Sequence, residues 1–166
     1  MEHQEFLRTI SEVAITLTGF IGIVVALKFG SSDWSSRTIM QFSALLRASI
    51  AASLLSFVPY LLFQATGLEE LSWRLSAALL ASVMALNIAL FVRDTKGNKL
   101  TGIQGVMFIG GFLMLTVVIL SVFKVLDSST VFLFGVVWQI TVGVNNFALL
   151  LISDIRNPEQ IRKIQS

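Results

Sequence analysis

The sequence predicts an all-α integral membrane bundle of five transmembrane helices, with the N-terminus outside and the C-terminus in the cytoplasm. The 166 residues are 55% hydrophobic and only 13% charged, with a mean hydropathy of +0.82, which is more apolar than a soluble domain tolerates. The apolar residues fall into five runs, each near the ~20 residues that cross ~30 Å of hydrocarbon as a helix. The distribution of basic residues between these runs supplies the orientation.

The five apolar runs cover 6–29, 39–65, 71–92, 103–123 and 131–152. Short connectors rich in Gly, Ser, Asp and Asn separate them, so consecutive helices are expected to be antiparallel and adjacent in one compact bundle. We treat residues 1–153 as a single transmembrane domain. Residues 154–166 then form a short basic cytoplasmic tail, in which Pro158 stops the last helix.

Basic residues concentrate on one predicted face of the membrane. Five spans place eight of them together: Lys28, Arg37, Arg93, Lys96, Lys99, Arg156, Arg162 and Lys163. The opposite face has only Arg8, Arg74 and Lys124. Basic residues near membrane ends favour the cytoplasmic side, and removing a middle span would put the later basic connectors on the wrong side. The asymmetry therefore predicts both the orientation and the number of spans.

Composition excludes several classes of function. The chain has no cysteine, and its single histidine is His3. Disulfides and thiolate chemistry are therefore excluded, and a zinc site would have almost none of its usual ligands. The net charge of +2 leaves no basic surface for nucleic acid. We expect no cofactor and no metal. We expect no enzyme either, because the spans offer no His, Cys or paired buried acids for acid–base work.

Glu12 is the only acid well inside the first run. At helical spacing it shares a face with Thr16, Gly19 and Ile23, a mixture of small and polar residues. One interpretation is tight helix packing, since small residues let backbones approach and hydroxyl groups bond across the contact. The other is the outer mouth of an aqueous path, in which Glu12 attracts cations or relays protons and Thr16 lies below it.

The second run contains a row of polar residues at spacings of three and four: Ser49, Ser53, Ser56, Tyr60 and Gln64. Pro59 interrupts the helical hydrogen bonds beside this row, which is either a packing device or a gating element. Arg47 precedes the row. We interpret it as a cytoplasmic anchor whose long side chain reaches the interface, although a helix starting at Ile39 would bury it about 12 Å deep.

The fifth run has amides at membrane depth: Gln139, Asn145 and Asn146. Unsatisfied amides in hydrocarbon are costly, so they cannot all face lipid. They are predicted either to fix the bundle or an oligomer through an amide network, or to line a hydrated pore or ligand vestibule. Asn87 in the third run is expected to bond to a neighbouring helix.

The segment SEVAITLTGFIGIVVAL, followed by WSSR and later by WRLSAALLA, resembles small bacterial multi-pass membrane proteins that have no known activity. The likeness covers about the first half of the chain. It implies a bacterial inner-membrane location and no particular activity.

Three functions remain open from the sequence. The first is a homo-oligomeric channel or pore for small ions, with the polar faces of spans one, two and five lining the path. The second is a membrane accessory subunit that docks another membrane protein and transports nothing itself. The third is a small transporter, which the odd number of spans makes less suited to inverted repeats. In each case the chain contacts the lipid bilayer.

Overall fold

A computed structural model describes residues 3–28, 36–95 and 102–155. Its helices are α1 Gln4–Lys28, α2 Ser36–Thr66, α3 Glu69–Asp94, α4 Gly102–Val122 and α5 Ser128–Ile155. Each of the five contains a segment long and apolar enough to cross a membrane, so the all-α prediction and its five helices of membrane-spanning length are confirmed. The predicted tail over 154–166 begins inside α5, and its residues 156–166 lie outside the described part of the chain.

The other four helices pack around α5. Helices α1, α2, α3 and α4 lie in a row, each against the next, and α5 contacts every one of them. The interior that they share is apolar, and Leu80, Phe132 and Val136 are fully buried in it. Helix α1 at one end of the row and α4 at the other leave broad surfaces uncovered.

The outer surface of the bundle carries many large apolar side chains. Large side chains such as Leu54 on α2, Val106 on α4 and Phe134 on α5 are mostly exposed. Helices that are apolar on all sides are typical of membrane spans or of the centre of a large protein. Because so much apolar surface is uncovered, the surroundings that fit this bundle are the hydrocarbon core of a membrane.

Neighbouring helices run in opposite directions, as the short connectors predict. The ring of His3 lies 5.9 Å from that of Trp73, and Trp73 lies 5.9 Å from Phe132, so α1, α3 and α5 begin at the same end of the bundle. We call this the Trp73 end. At the opposite end Arg47 of α2 reaches Asp94, the last residue of α3. We call this the Arg47 end.

The α2–α3 connection is only two residues long. Gly67 adopts a positive φ of 68°, and its N–H donates to the carbonyl of Phe63 at 2.8 Å, which closes the end of α2. Glycine tolerates this left-handed conformation because it has no Cβ. The hydroxyl groups of Thr66 and Ser72 lie 3.1 Å apart across the turn. The tight turn therefore sets α2 and α3 side by side.

Local hydrogen bonds end α4 and cap the start of α5 at the connection between these two helices. Lys124 has a positive φ of 62°, and the N–H groups of Lys124 and Val125 bond to the carbonyls of Ser121 and Leu120. Asp127 caps α5 by accepting the Thr130 N–H at 2.8 Å. That bond and the hydroxyl group of Ser129 hold the pKa of Asp127 at about 2, below its ordinary 3.8.

We expect Asp127→Ala to lower the free energy of unfolding by about 1 kcal/mol, the usual loss for an N-cap. Because the folded pKa is depressed, the carboxylate stabilises fully above pH 3.8 and loses its contribution as the pH falls through about 2. The difference between wild type and Asp127→Ala should shrink over that range when unfolding is followed by circular dichroism in detergent. Asp127→Asn is the control, since it keeps an acceptor oxygen but does not titrate. A difference that persists undiminished at pH 2 would contradict the role of the carboxylate.

Candidate functional site

A cavity lies between α2, α3, α4 and α5 near the Arg47 end, with a volume of about 100 Å³. Six of its lining residues are polar: Arg47, Asn87, Gln104, Gln139, Asn145 and Asn146. They come from all four helices. We call this space the amide cavity. Its remaining wall is apolar and includes the aromatic rings of Phe91, Phe108 and Trp138.

Small residues opposite α5 leave room for the amide cavity. Ala44 and Ala48 of α2 and Gly111 of α4 face the space that the α5 amides enter. The indole of Trp138 lies so close to Gly110 that a methyl group at this position would overlap the ring. A glycine on α4 is therefore what lets the ring of Trp138 lie flat at the wall of the cavity.

Among the described residues of this chain, no hydrogen bond joins one amide of α5 to another or to an amide of a neighbouring helix. Asn146 donates its side-chain N–H to the carbonyl of Val142 in its own helix, at 2.8 Å. Gln139 is only 4% exposed, yet no hydrogen bond joins its amide to another residue in the described part of the chain. The same holds there for the side chains of Asn87 and Asn145. These amides border the cavity, so their hydrogen-bonding capacity is directed toward whatever occupies it.

Arg47 enters the amide cavity from α2 and is paired with an acid. Its Nη2 lies 3.2 Å from Oδ2 of Asp94, and the two side chains are 26% and 19% exposed. The other oxygen of Asp94 accepts from Arg93, at 3.1 Å from Nη2. Asp94 is therefore held between two guanidinium groups. The Arg47 side chain therefore reaches toward the end of α3.

Glu12 and Thr16 lie elsewhere, on the uncovered face of α1. The Glu12 side chain is 64% exposed and accepts from Nε of Arg8 at 3.0 Å, while Thr16 donates to the backbone carbonyl of Glu12. Together with Thr9 and Phe20 they line a groove of about 400 Å³ that Phe147 of α5 closes on one side. Within this chain, Glu12 is thus separate from the amides of α5.

The polar row of α2 divides between interior and exterior. Ser49 is fully buried, and its hydroxyl group has no hydrogen-bond partner among the described residues. Ser56 is also buried, and it donates to the carbonyl of Ala52 in its own helix at 2.7 Å. Ser53 is half-buried, whereas Tyr60 is exposed and accepts from Gln64. The row therefore does not form one continuous exposed polar surface.

The structure thus joins four of the predicted residues, Arg47, Gln139, Asn145 and Asn146, in one cavity. Reasoning from the sequence did not assign Asn87 or Gln104 to a site, nor Asp94 as the partner of Arg47. The positions of these residues along their helices were the available signal. Because neighbouring helices are antiparallel, the end of α3, the start of α4 and the end of α5 lie at the same level of the bundle. Among the described residues, no group of three or more His, Cys, Asp or Glu is placed to hold a metal ion.

Comparisons of this chain with protein-family models, with curated proteins and with solved structures find no match.

We expect Gln139→Leu to leave the melting temperature in detergent unchanged or to raise it. A buried amide without a protein partner adds no stability, and an apolar side chain of similar size is neutral or stabilising there. Phe132→Ala is the matched control within α5, because it opens a void in the core and should cost about 3–5 kcal/mol. If Gln139→Leu destabilises the bundle as much as this control does, the amide is part of a structural network instead.

Proposed function

We propose that this protein is a membrane channel or pore for small ions, assembled from several copies whose α1 helices line the path. The observation that carries the proposal is the position of Glu12. Its carboxylate lies on the uncovered face of an apolar helix, with most of the side chain exposed. A charge that faces lipid costs several kcal/mol, whereas the same charge beside an aqueous path does not.

The depth of Glu12 supports this argument. It comes eight residues after the start of α1, which corresponds to about 12 Å along the helix at 1.5 Å per residue. The Arg8 side chain lies one turn nearer to that end of the helix and is 83% exposed. An exposed pair of this kind contributes little stability by itself. Glu12 is therefore placed where a carboxylate acts on passing cations more than where it holds the fold.

The rest of the α1 surface is compatible with contact between copies. Gly19 and Gly22 have open space where a Cβ would lie, so a neighbouring helix can approach the backbone closely there. α1 packs only at one end of the helix row, against α2 and α5. Five helices leave little room for a path within one subunit, and several copies arranged around α1 would enclose one.

We also propose that the Arg47 end faces the cytoplasm of a bacterial cell, in the inner membrane. Arg47 and Arg93 lie at this end, and the sequence adds Lys96, Lys99 and three basic residues beyond 155. Positive charge near membrane ends favours the cytoplasmic side. The likeness of the first half of the chain to small bacterial membrane proteins supports the same location.

A second function, that of an accessory subunit, is favoured by the groove between α1 and α5. Thr9, Thr16 and Phe147 line this groove on the outer surface. Its volume of about 400 Å³ accepts side chains from a helix of another membrane protein as readily as from a second copy. Such a subunit would carry no ions itself.

We expect Glu12→Gln to reduce cation flux through proteoliposomes by about fivefold or more, because one unit charge at about 4 Å contributes ~1 kcal/mol even in water. Glu5→Gln is the matched control. It removes an exposed acid from the first turn of the same helix, nearer its end, and should leave flux nearly unchanged. Wild type that carries no ions, or a Glu12→Gln variant that carries them as wild type does, would contradict the proposed pore.

The assembly itself is testable with single cysteines, since the chain has none of its own. Gly19→Cys on the uncovered face of α1 should form disulfide-linked dimers upon oxidation, whereas Ala14→Cys, at a fully buried position, should not. Native mass measurement of wild type should give a single oligomer. A monomer that co-purifies in fixed ratio with another membrane protein would favour the accessory subunit.

The proposed orientation predicts opposite labelling at the two ends of the bundle. Val125→Cys lies in the exposed α4–α5 turn at the Trp73 end, and Gly102→Cys lies at the exposed start of α4. In intact cells a membrane-impermeant maleimide should modify Val125→Cys, and Gly102→Cys should react only after the membrane is opened. The reverse pattern would overturn the orientation without affecting the fold.

A further inference from the structure

The amide cavity is chemically different from the Glu12 surface. Among the described residues, Arg47 is the only charged one that lines the cavity, and the other polar lining groups are the amides of asparagine and glutamine. Amide groups donate and accept hydrogen bonds equally well, so they do not select a charge. The sign of a preferred ligand is therefore set by Arg47.

Arg47 keeps hydrogen-bonding capacity for a ligand. Its guanidinium group has five N–H donors, and one nitrogen, Nη2, bonds to Asp94. Asp94 does not depend on Arg47 alone, because Arg93 bonds to its other oxygen. The two arginines and one aspartate carry a net charge of +1, so Asp94 does not neutralise both guanidinium groups. An anion at the cavity would meet a partly buried cation that is not fully neutralised.

The apolar wall limits the rest of the ligand. Met84, Phe91, Phe108 and Trp138 supply large apolar side chains to the lining of the cavity. A volume of about 100 Å³ exceeds the ~10–15 Å³ that a cavity needs to hold one water molecule, but it is well below the ~300–1,000 Å³ of pockets for drug-sized ligands. The ligand that fits is therefore short, with a charged head and a small apolar tail.

We propose that the amide cavity binds a small carboxylate with a short aliphatic tail, such as propionate or butyrate. The carboxylate accepts hydrogen bonds from Arg47 and from amide N–H groups of the α5 side chains, and the tail packs against Phe91, Phe108 and Trp138. Gln139 is buried and has no partner in the described part of the chain, so a ligand satisfies it without breaking an existing bond. Planar, partly buried guanidinium groups are well suited to carboxylates.

This proposal does not depend on the pore. The cavity is lined by residues of α2, α3, α4 and α5, whereas Glu12 lies in the groove along α1. Glu12→Gln is therefore expected to lose cation flux while it retains carboxylate binding. Failure of one proposal is distinguishable from failure of the other.

The test is titration of the full-length protein, in an uncharged detergent and at constant ionic strength, with sodium butyrate, followed by calorimetry and by ligand-observed NMR. Arg47→Met should weaken butyrate binding about tenfold or more, since a hydrogen-bonded charge is removed. Arg8→Met is the matched control, because it removes an exposed arginine near the other end of the bundle and should leave binding unchanged. Butyramide, which has the same shape without the charge, should bind at least tenfold more weakly than butyrate.

Asp94→Asn gives the sharper result, because it predicts a gain. Removing the competing carboxylate frees the Arg47 donor and raises the local positive charge, so butyrate should bind severalfold more tightly. If Arg47→Met fails to fold, Arg47→Lys keeps the charge without the planar fork and should give intermediate affinity. Equal binding of butyrate and butyramide, unchanged affinity in both Arg47 variants, or weaker binding in a folded Asp94→Asn variant would overturn the proposal.

Discussion

The packing of α5 against each of the other helices is the contact on which the bundle depends. Phe132 and Val136 of α5 are fully buried beside Leu80 of α3, and farther along Trp138 lies against Gly110 of α4. The row of α1 to α4 would otherwise be an open sheet of helices with two apolar sides. In a hydrocarbon solvent such a sheet gains nothing from burial alone, because lipid is as apolar as leucine. Close packing between complementary shapes is what distinguishes the folded bundle from separate helices.

The same helix also brings the polar groups of the interior together. Hydroxyl groups such as those of Ser56 and Ser76 bond to carbonyls one turn earlier and so satisfy themselves locally. An amide is larger and has two donors as well as an acceptor, which a single helix satisfies less completely. Gln139 and Asn145 therefore face the space between helices instead. Where they meet Arg47, the bundle has a polar cavity within an otherwise apolar interior.

Two polar surfaces result, and they lie on opposite sides of the α2–α5 contact. One is the uncovered face of α1 with Glu12 and Thr16, and the other is the amide cavity. On the first, the Glu12 side chain is 64% exposed, and Arg8 of the same helix is its only ion-pair partner among the described residues. The second is lined by four helices of one chain. The proposed pore and the proposed carboxylate site follow from this difference, and coupling between them would pass through α2 and α5, which contact both α1 and each other.

Much of this arrangement was predictable from the sequence, and the reasons are local. Runs of about twenty apolar residues define helices of membrane-spanning length, and Gly67 and Asp127 mark where helices end and begin. The sequence also singled out Arg47, Gln139, Asn145 and Asn146 as polar residues that needed an explanation. It did not pair Arg47 with Asp94, because that contact joins residues 47 positions apart and depends on the register of α2 against α3.

The grouping of Glu12 with the α5 amides, expected from their shared polarity, is not found within one subunit. Because both sides of each helix are apolar, hydrophobic periodicity does not tell which face points inward, and the faces of α1 and α2 were ambiguous for that reason. The sequence by itself determined the five helices and their approximate lengths, since these depend on the length of each apolar run. The ends of the helices differ from those of the runs by one to three residues. Only the tertiary structure decided which polar side chains meet, because that depends on how each helix is rotated against its neighbours.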